Sequence, residues 1–178
     1  MTLFERCIDI VLKSEGGYQC DPADKGNYTS SGELKGTNFG ISARVFPDVD
    51  IKHLTREQAK ALYYKHYWMP MNLEGIRNAN LILNMFDHGI NAGKRGAIRM
   101  VQRIVEVKAD GVCGPVTTMA INTYVPRIMV IEGYGMLQSV YDHYKYARYK
   151  YYADLIMRKP IKKKYQKGWY NRLHDCHF

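Results

Sequence analysis

The chain has 178 residues, 46% of them apolar and 24% charged, which suits ordinary globular structure and excludes a disordered or collagen-like chain. At this length a core forms without a disulfide framework or structural metal, and Cys7, Cys20, Cys113 and Cys176 are too scattered for either, so reduced thiols are expected. The net charge of +9 is one-sided: residues 1–89 hold 10 Lys/Arg against 11 Asp/Glu, whereas residues 90–178 hold 16 against 6, which points to a polyanionic partner.

Leu3, Phe4, Cys7, Ile8, Val11 and Leu12 recur at helical spacing behind Thr2 as N-cap, and Gly16-Gly17 ends that helix. Glu5, Arg6 and Asp9 within it do not suit an export signal, and no apolar run approaches the ~18 residues of a membrane span. From Asp21 to Pro47 the composition turns to Gly, Ser, Thr, Asn and Asp, which predicts irregular structure with a short hairpin near Lys35 to Ile41. Thr55 and Gln58 have capping-box spacing and open a helix running to about Tyr67, with Pro70 closing it.

Residues 78–91 read as a helix with Ile82, Met85, Phe86 and Ile90 on its apolar side, and Lys94 to Val107 as an amphipathic one. Asp110-Gly111 and Gly114-Pro115 mark a turn before a short helix at Val116 to Tyr124. A long helix is predicted from about Pro126 to Arg158, burying Leu137, Val140, Tyr144, Ala147, Tyr151 and Leu155 and setting Lys145, Arg148, Tyr152 and Lys159 on another face. The fold expected is mostly α, with an irregular or β-hairpin segment after the first helix.

Glu15 is the sharpest local anomaly. It lies 3, 4, 7 and 11 residues after Leu12, Val11, Ile8 and Phe4, so it continues the apolar face of the first helix at that helix's C-terminal end. The terminal carbonyls and an apolar surround both oppose its charge and favour the protonated acid that general acid catalysis requires. The plainer alternative is a Glu at a frayed helix end, pointing into water. Acid chemistry on an acetal also needs a second group to activate water or stabilise the oxocarbenium ion, and Asp21 and Asp24 follow in the next segment. As isolated aspartates in a turn-rich loop both also suit Asx turns.

The motif SEGGYQCDPAD, then GTNFGIS, YYKHYW, NMFDHGINAG, DGVCGPVTTMAI and KPIKKKYQKGWYNRL, in that order, resembles the glycoside hydrolase family 108 muramidases of phage endolysins and related bacterial proteins. The resemblance runs from about Phe4 to Leu173. It implies a lysozyme-like helical fold and cleavage of the β-1,4 bond between N-acetylmuramic acid and N-acetylglucosamine, with Glu15 of the Glu-Gly-Gly-Tyr motif as catalytic acid and Tyr18 at the substrate. A looser similarity to phage-type lysozymes implies that Asp24 activates water, with Asp21 as alternative, that Thr37 holds that water, and that Asn38 lines the site. The segment Tyr28 to Gly36 departs from the family's usual short passage to the Thr-Asn pair.

On the 78–91 helix, Asn80, Asn84, Asp87 and Asn91 line up opposite the apolar side, which reads as a solvated face, or, from the match of Asp87 and Asn91 to the family pattern, as substrate-binding cleft wall. The resemblance implies one lysozyme-like domain over residues 1–178, with a catalytic lobe of about 1–92 and a helical, basic lobe of about 93–178 similar to a peptidoglycan-binding segment. In that basic half the partner implied is peptidoglycan, with anionic envelope contact; no stable nucleic acid partner is expected, and the chain is expected to be a monomer. His174-Asp175-Cys176-His177 is too crowded for ordinary metal-ligand spacing, so no metal and no cofactor is expected. A phage endolysin would be made in the host cytoplasm and reach the wall through a separate permeabilising protein. The rival readings are a lytic transglycosylase and a non-catalytic polyanion or nucleic-acid-binding protein.

Overall fold

The computed structural model describes residues 1–13 and 15–178; Ser14, the first residue of the SEGGYQCDPAD motif, lies outside them. The chain forms two compact units, Met1–His66 and Tyr67–Phe178.

In the first unit, helix α1 (Leu3–Lys13) opens with a reciprocal cap: Thr2 donates its N–H to the Glu5 carboxylate and the Thr2 hydroxyl accepts the Glu5 N–H. It buries Cys7, Ile8, Val11 and Leu12, as their spacing predicts. Beyond it the chain is held by side chains more than by ladders. Asn27 ends a 3₁₀ turn at Lys25–Asn27 and is fully buried. Its side chain exchanges hydrogen bonds with the Gln19 amide at 3.0 and 2.9 Å and donates to the Asp21 carbonyl at 3.0 Å. Its backbone carbonyl accepts from the N–H groups of both Lys35 and Gly36, so the Tyr28–Gly36 excursion leaves and returns at one residue.

Strands β1 (Thr37–Asn38) and β2 (Ile41–Ser42) pair antiparallel with Asn38 opposite Ile41, which leaves Phe39-Gly40 as a two-residue turn. Both turn residues have positive φ, 49° and 73°, as a type I′ turn requires; Gly40 adopts this freely and Phe39 does so under strain. Helix α2 (Arg56–Tyr63) carries the predicted capping box between Thr55 and Gln58. After Tyr63 the winding loosens into a π-helical turn at Tyr64–Trp68, so the helical run reaches the expected Tyr67.

In the second unit the winding runs on into the three-residue helix α3 (Met69–Met71), which holds Pro70, and stops at Asn72 with a φ of 51°, so the helical run ends two residues after the proline. Then follow α4 (Ala79–Ala92), capped by Asn78, α5 (Lys94–Ile104) and α6 (Pro115–Thr123). The Asp110-Gly111 turn before α6 is tied to buried Gln102, which donates to Asp110 Oδ1 at 2.8 Å and accepts the Gly111 N–H at 2.9 Å. The first part of the long helix expected from about Pro126 to Arg158 is a hairpin instead. Gly133 and Gly135, with φ of 75° and 107°, turn strand β3 (Met129–Ile131) back onto β4 (Gly135–Leu137). Helix α7 (Val140–Arg158) starts only at Ser139, whose hydroxyl accepts the Asp142 N–H, and a 3₁₀ segment leads to α8 (Gln166–Asp175).

α4 packs against α5 and α7, and α7 against α8. The buried row of α7 is Val140, Tyr144, Arg148 and Tyr152: the first two belong to the expected stripe, whereas Tyr151 is 38% exposed and Arg148 and Tyr152 come from the other face. The reason is on α4, which is buried from Leu81 through Gly89 and presents Asn84 and Asp87 to Arg148. All four cysteines are free, and burial pushes the Cys7 and Cys176 thiols up to about 12. Among the described residues no helix is long and apolar enough to cross a membrane.

His88 of α4 adds a pH dependence. The Tyr144 hydroxyl donates to the Ala97 carbonyl and therefore accepts from His88 Nδ1 at 2.9 Å. Burial, reinforced by the Arg148 guanidinium, pushes the imidazole from 6.5 down to about 3. Below about pH 6.5 the unfolded chain takes up a proton that the folded chain refuses, so stability falls by roughly 1.4 kcal/mol per pH unit until the pH nears 3. Denaturant titrations between pH 6 and 4 are expected to show that slope in the wild-type chain and a flatter one in His88→Phe, which keeps the ring without the basic nitrogen. Equal slopes would place the acid sensitivity elsewhere.

Candidate active site

Glu15 is half-buried just beyond α1, and the Phe39-Gly40 turn provides its seat. A Cβ on Gly40 would lie 2.6 Å from Glu15 Oε2 and 2.6 Å from the Tyr63 hydroxyl, so only a glycine lets the carboxylate and the phenol both press against the turn. The Tyr63 hydroxyl donates to the Phe39 carbonyl at 3.0 Å, which ties the end of α2 to the same strained residue. Gly40 itself is exposed. The carboxyl group is thus fixed against rigid backbone on one side with solvent within reach, the arrangement a positioned proton donor needs.

Thr37 lies three residues from Gly40 and is paired through its backbone with Gln19, N–H to carbonyl at 2.8 Å in both directions. Its hydroxyl donates to Asn27 Oδ1 at 2.8 Å, which leaves the hydroxyl oxygen able to accept from a water. Asp24 and Asp21 are both exposed and both close Asx turns, Asp24 Oδ1 accepting from Gly26 N–H and Asp21 Oδ1 from Ala23 N–H, each at 2.8 Å. In each, the second carboxylate oxygen takes no part in the turn. Tyr18 is 42% exposed and lines an open groove of about 390 Å³ together with Lys35, Asp48 and Lys52.

Three residues expected at the substrate make contacts within the fold. Asn38 is buried and donates its amide to the carbonyls of Ile51 and Leu54, pinning the hairpin to the segment before α2. Asp87, in the second unit, is 1% exposed and bonds Arg148 Nη2 and Arg172 Nε at 2.6 Å each, a corrected placement for a residue expected on a cleft wall. Burial alone would raise its carboxyl, but the two guanidiniums together hold it below the ordinary carboxylate range. Asn91 is exposed at the end of α4 and turns its amide back to the Asp87 carbonyl at 2.8 Å.

Sequence reasoning missed Tyr63, Gln19 and Asn27. Tyr63 reads as one more aromatic on an amphipathic helix, and nothing local shows that its hydroxyl reaches Phe39. For Gln19 and Asn27 a signal existed: in a segment with so few apolar residues, buried amides must satisfy one another.

Residues 8–93 match the family described as Glycosyl hydrolase 108, and residues 96–174 match the one described as Predicted Peptidoglycan domain. Among solved structures the chain is similar to SagA of Brucella abortus, with a TM-score of 0.71 and 23% identity, over 97% of this chain and 90% of that one. That likeness speaks for the mostly helical, lysozyme-like fold. No curated protein matches the chain. Glu15, Thr37 and Gly40 all fall inside the first matched segment, and the chain is a glycoside hydrolase in which a segment similar to glycosyl hydrolase 108 is followed by one similar to a peptidoglycan domain.

Proposed function

We propose that the chain is an N-acetylmuramidase that cleaves the β-1,4 bond between N-acetylmuramic acid and N-acetylglucosamine, with Glu15 as general acid. The observation that carries this reading is the seating of the Glu15 carboxylate on Gly40 beside the Tyr63 hydroxyl, within the segment that matches a glycosyl hydrolase family. The coupling of that segment to a peptidoglycan domain supports peptidoglycan as the polymer. Glu15 protonates the leaving oxygen. Asp24, through the oxygen left out of its Asx turn, draws a proton from water, and the Thr37 hydroxyl holds that water from Asn27. Asp21 offers the same chemistry with the same geometry. If the water attacks from the face opposite the leaving group, the anomeric carbon inverts and the two carboxyl groups stand roughly 6.5–9.5 Å apart. The biological setting that fits is a phage endolysin, made in the host cytoplasm and released to the wall by a separate permeabilising protein.

Digestion of purified peptidoglycan followed by mass measurement of the fragments tests the reaction. Hydrated muramic acid reducing ends are expected. Anhydro ends, lighter by one water, would make it a transglycosylase, and an absence of fragments would leave only binding.

A further inference from the structure

We infer that the second unit holds a glycan-binding pocket of its own, built from tyrosines of the β3–β4 hairpin, α7 and α8, that takes the N-acetylated pyranose rings of a peptidoglycan strand. The inference rests on the proposed reading of peptidoglycan as the polymer and assigns the place of recognition in the second unit.

The cavity measures about 440 Å³ and is lined by Tyr134 and Met136 of the hairpin, Tyr141, Lys145 and Tyr149 of α7 and Tyr170 of α8. Tyr149 and Tyr170 stack with ring centroids 5.0 Å apart and planes 23° from parallel, and Tyr134 leans on Tyr149 at 5.8 Å. Such contacts hold the rings in fixed orientations, so they offer broad amphipathic surface at little further entropy cost on binding. Core packing does not account for them: Tyr149 is 39% and Met136 53% exposed, over a floor of buried Leu137 and Leu173. A pyranose ring presents a flat face of axial C–H bonds that packs on aromatic rings, with hydroxyl and acetamido groups around its edge.

The polar groups of the pocket suit that edge. Asp142 also lines it and spends one carboxylate oxygen, Oδ2, on the Gln138 N–H and the Ser139 hydroxyl, which leaves Oδ1 to accept from a sugar hydroxyl. Lys145, whose Nζ lies 5.9 Å from the Tyr141 ring centroid, donates to a hydroxyl or acetamido oxygen. Burial pushes the Tyr134 phenol up to about 12, so it stays a neutral donor at working pH. A few placed polar groups around an apolar cavity of this size are the usual make-up of a small-ligand site. The carboxylate of Asp142 works against a phosphate-bearing strand, which separates this pocket from the basic surface outside it.

The test uses the full chain carrying Glu15→Gln, so that binding is read without turnover. Sedimentation with purified sacculi is expected to show affinity weakened about tenfold by Tyr149→Ala, the loss typical of truncating a central aromatic anchor. Chitotetraose added to the same chain with its tyrosine rings labelled for NMR is expected to shift the Tyr134, Tyr149 and Tyr170 signals saturably. Ring signals of the unsubstituted pocket carry the test by themselves if Tyr149→Ala is unstable. Sacculus binding that leaves those signals unmoved, or a stable Tyr149→Ala chain that binds within twofold of its parent, would overturn the pocket. So would a single-stranded oligonucleotide that displaces chitotetraose from it. Fragment masses from the wild-type chain report on the muramidase reading separately, so either idea fails without hiding the fate of the other.

Discussion

Glu15→Gln is expected to lower turnover on purified peptidoglycan by at least ~10²-fold while leaving the melting temperature and sacculus binding close to wild type. Glutamine keeps the size and shape of the side chain, so it still rests on Gly40 beside the Tyr63 hydroxyl, and the Phe39-Gly40 turn keeps its geometry. What it lacks is a proton to give to the leaving oxygen. A loss of this size at unchanged stability separates chemistry from folding. Activity within a few-fold of wild type would move the proposed acid to another residue.

The largest stability effect is expected at Asp87, far from that chemistry in the sequence. Asp87→Asn removes the negative charge that bonds Arg148 and Arg172 at 2.6 Å each, and Arg148 is fully buried. Asn84 still accepts from Arg148 through its side-chain and backbone oxygens, at 2.9 and 3.2 Å, but neither carries charge. Breaking a buried ion pair in this way costs about 3–5 kcal/mol, against a total of roughly 5–15 kcal/mol for a typical domain. Chemical denaturation should therefore find the variant near the edge of folding. Adding Arg148→Met should recover part of the loss, because the stranded cation goes with its partner. A cost below about 1 kcal/mol for Asp87→Asn would mean that water reaches Arg148.

These two residues also mark how far the sequence could be read. Glu15 stood out because a charged residue continuing an apolar helical face breaks a local rule, and breaches of that kind tend to sit at working sites. Asp87 misled for the converse reason. A polar stripe at helical spacing looks the same whether it faces water or a buried arginine, and the pairing partner lies 61 residues away on α7. The same long-range pairing shifts the second half of the α7 stripe by one position, from Ala147 and Tyr151 to Arg148 and Tyr152.

Helices α1, α2, α4, α5 and α6 were legible from periodicity and caps, which are local. The β3–β4 hairpin was not, because Met129-Val130-Ile131 suits either element and the deciding signal was the pair of glycines that follow. The choice between Asp21 and Asp24 stayed open for a physical reason: both close the same kind of turn with the same bond length.

The double anchorage of Lys35 and Gly36 on the Asn27 carbonyl has a consequence for how this chain could come to differ in length from its relatives. Inside the clamp Tyr28 pairs with Leu34 and the Thr29 N–H donates to the Glu33 carbonyl, so only residues added at the Ser30–Gly32 tip contribute closure entropy alone, where doubling a loop's length costs about 0.6 kcal/mol. Insertions at that tip therefore meet little thermodynamic resistance, while the Tyr28–Leu34 and Gln19–Thr37 pairings below it do not register them. Drift in length can accumulate at that tip under relaxed selection, while Gly36, at the clamp itself, has no room for a single methyl group, because a Cβ there would run into the Gln19 carbonyl.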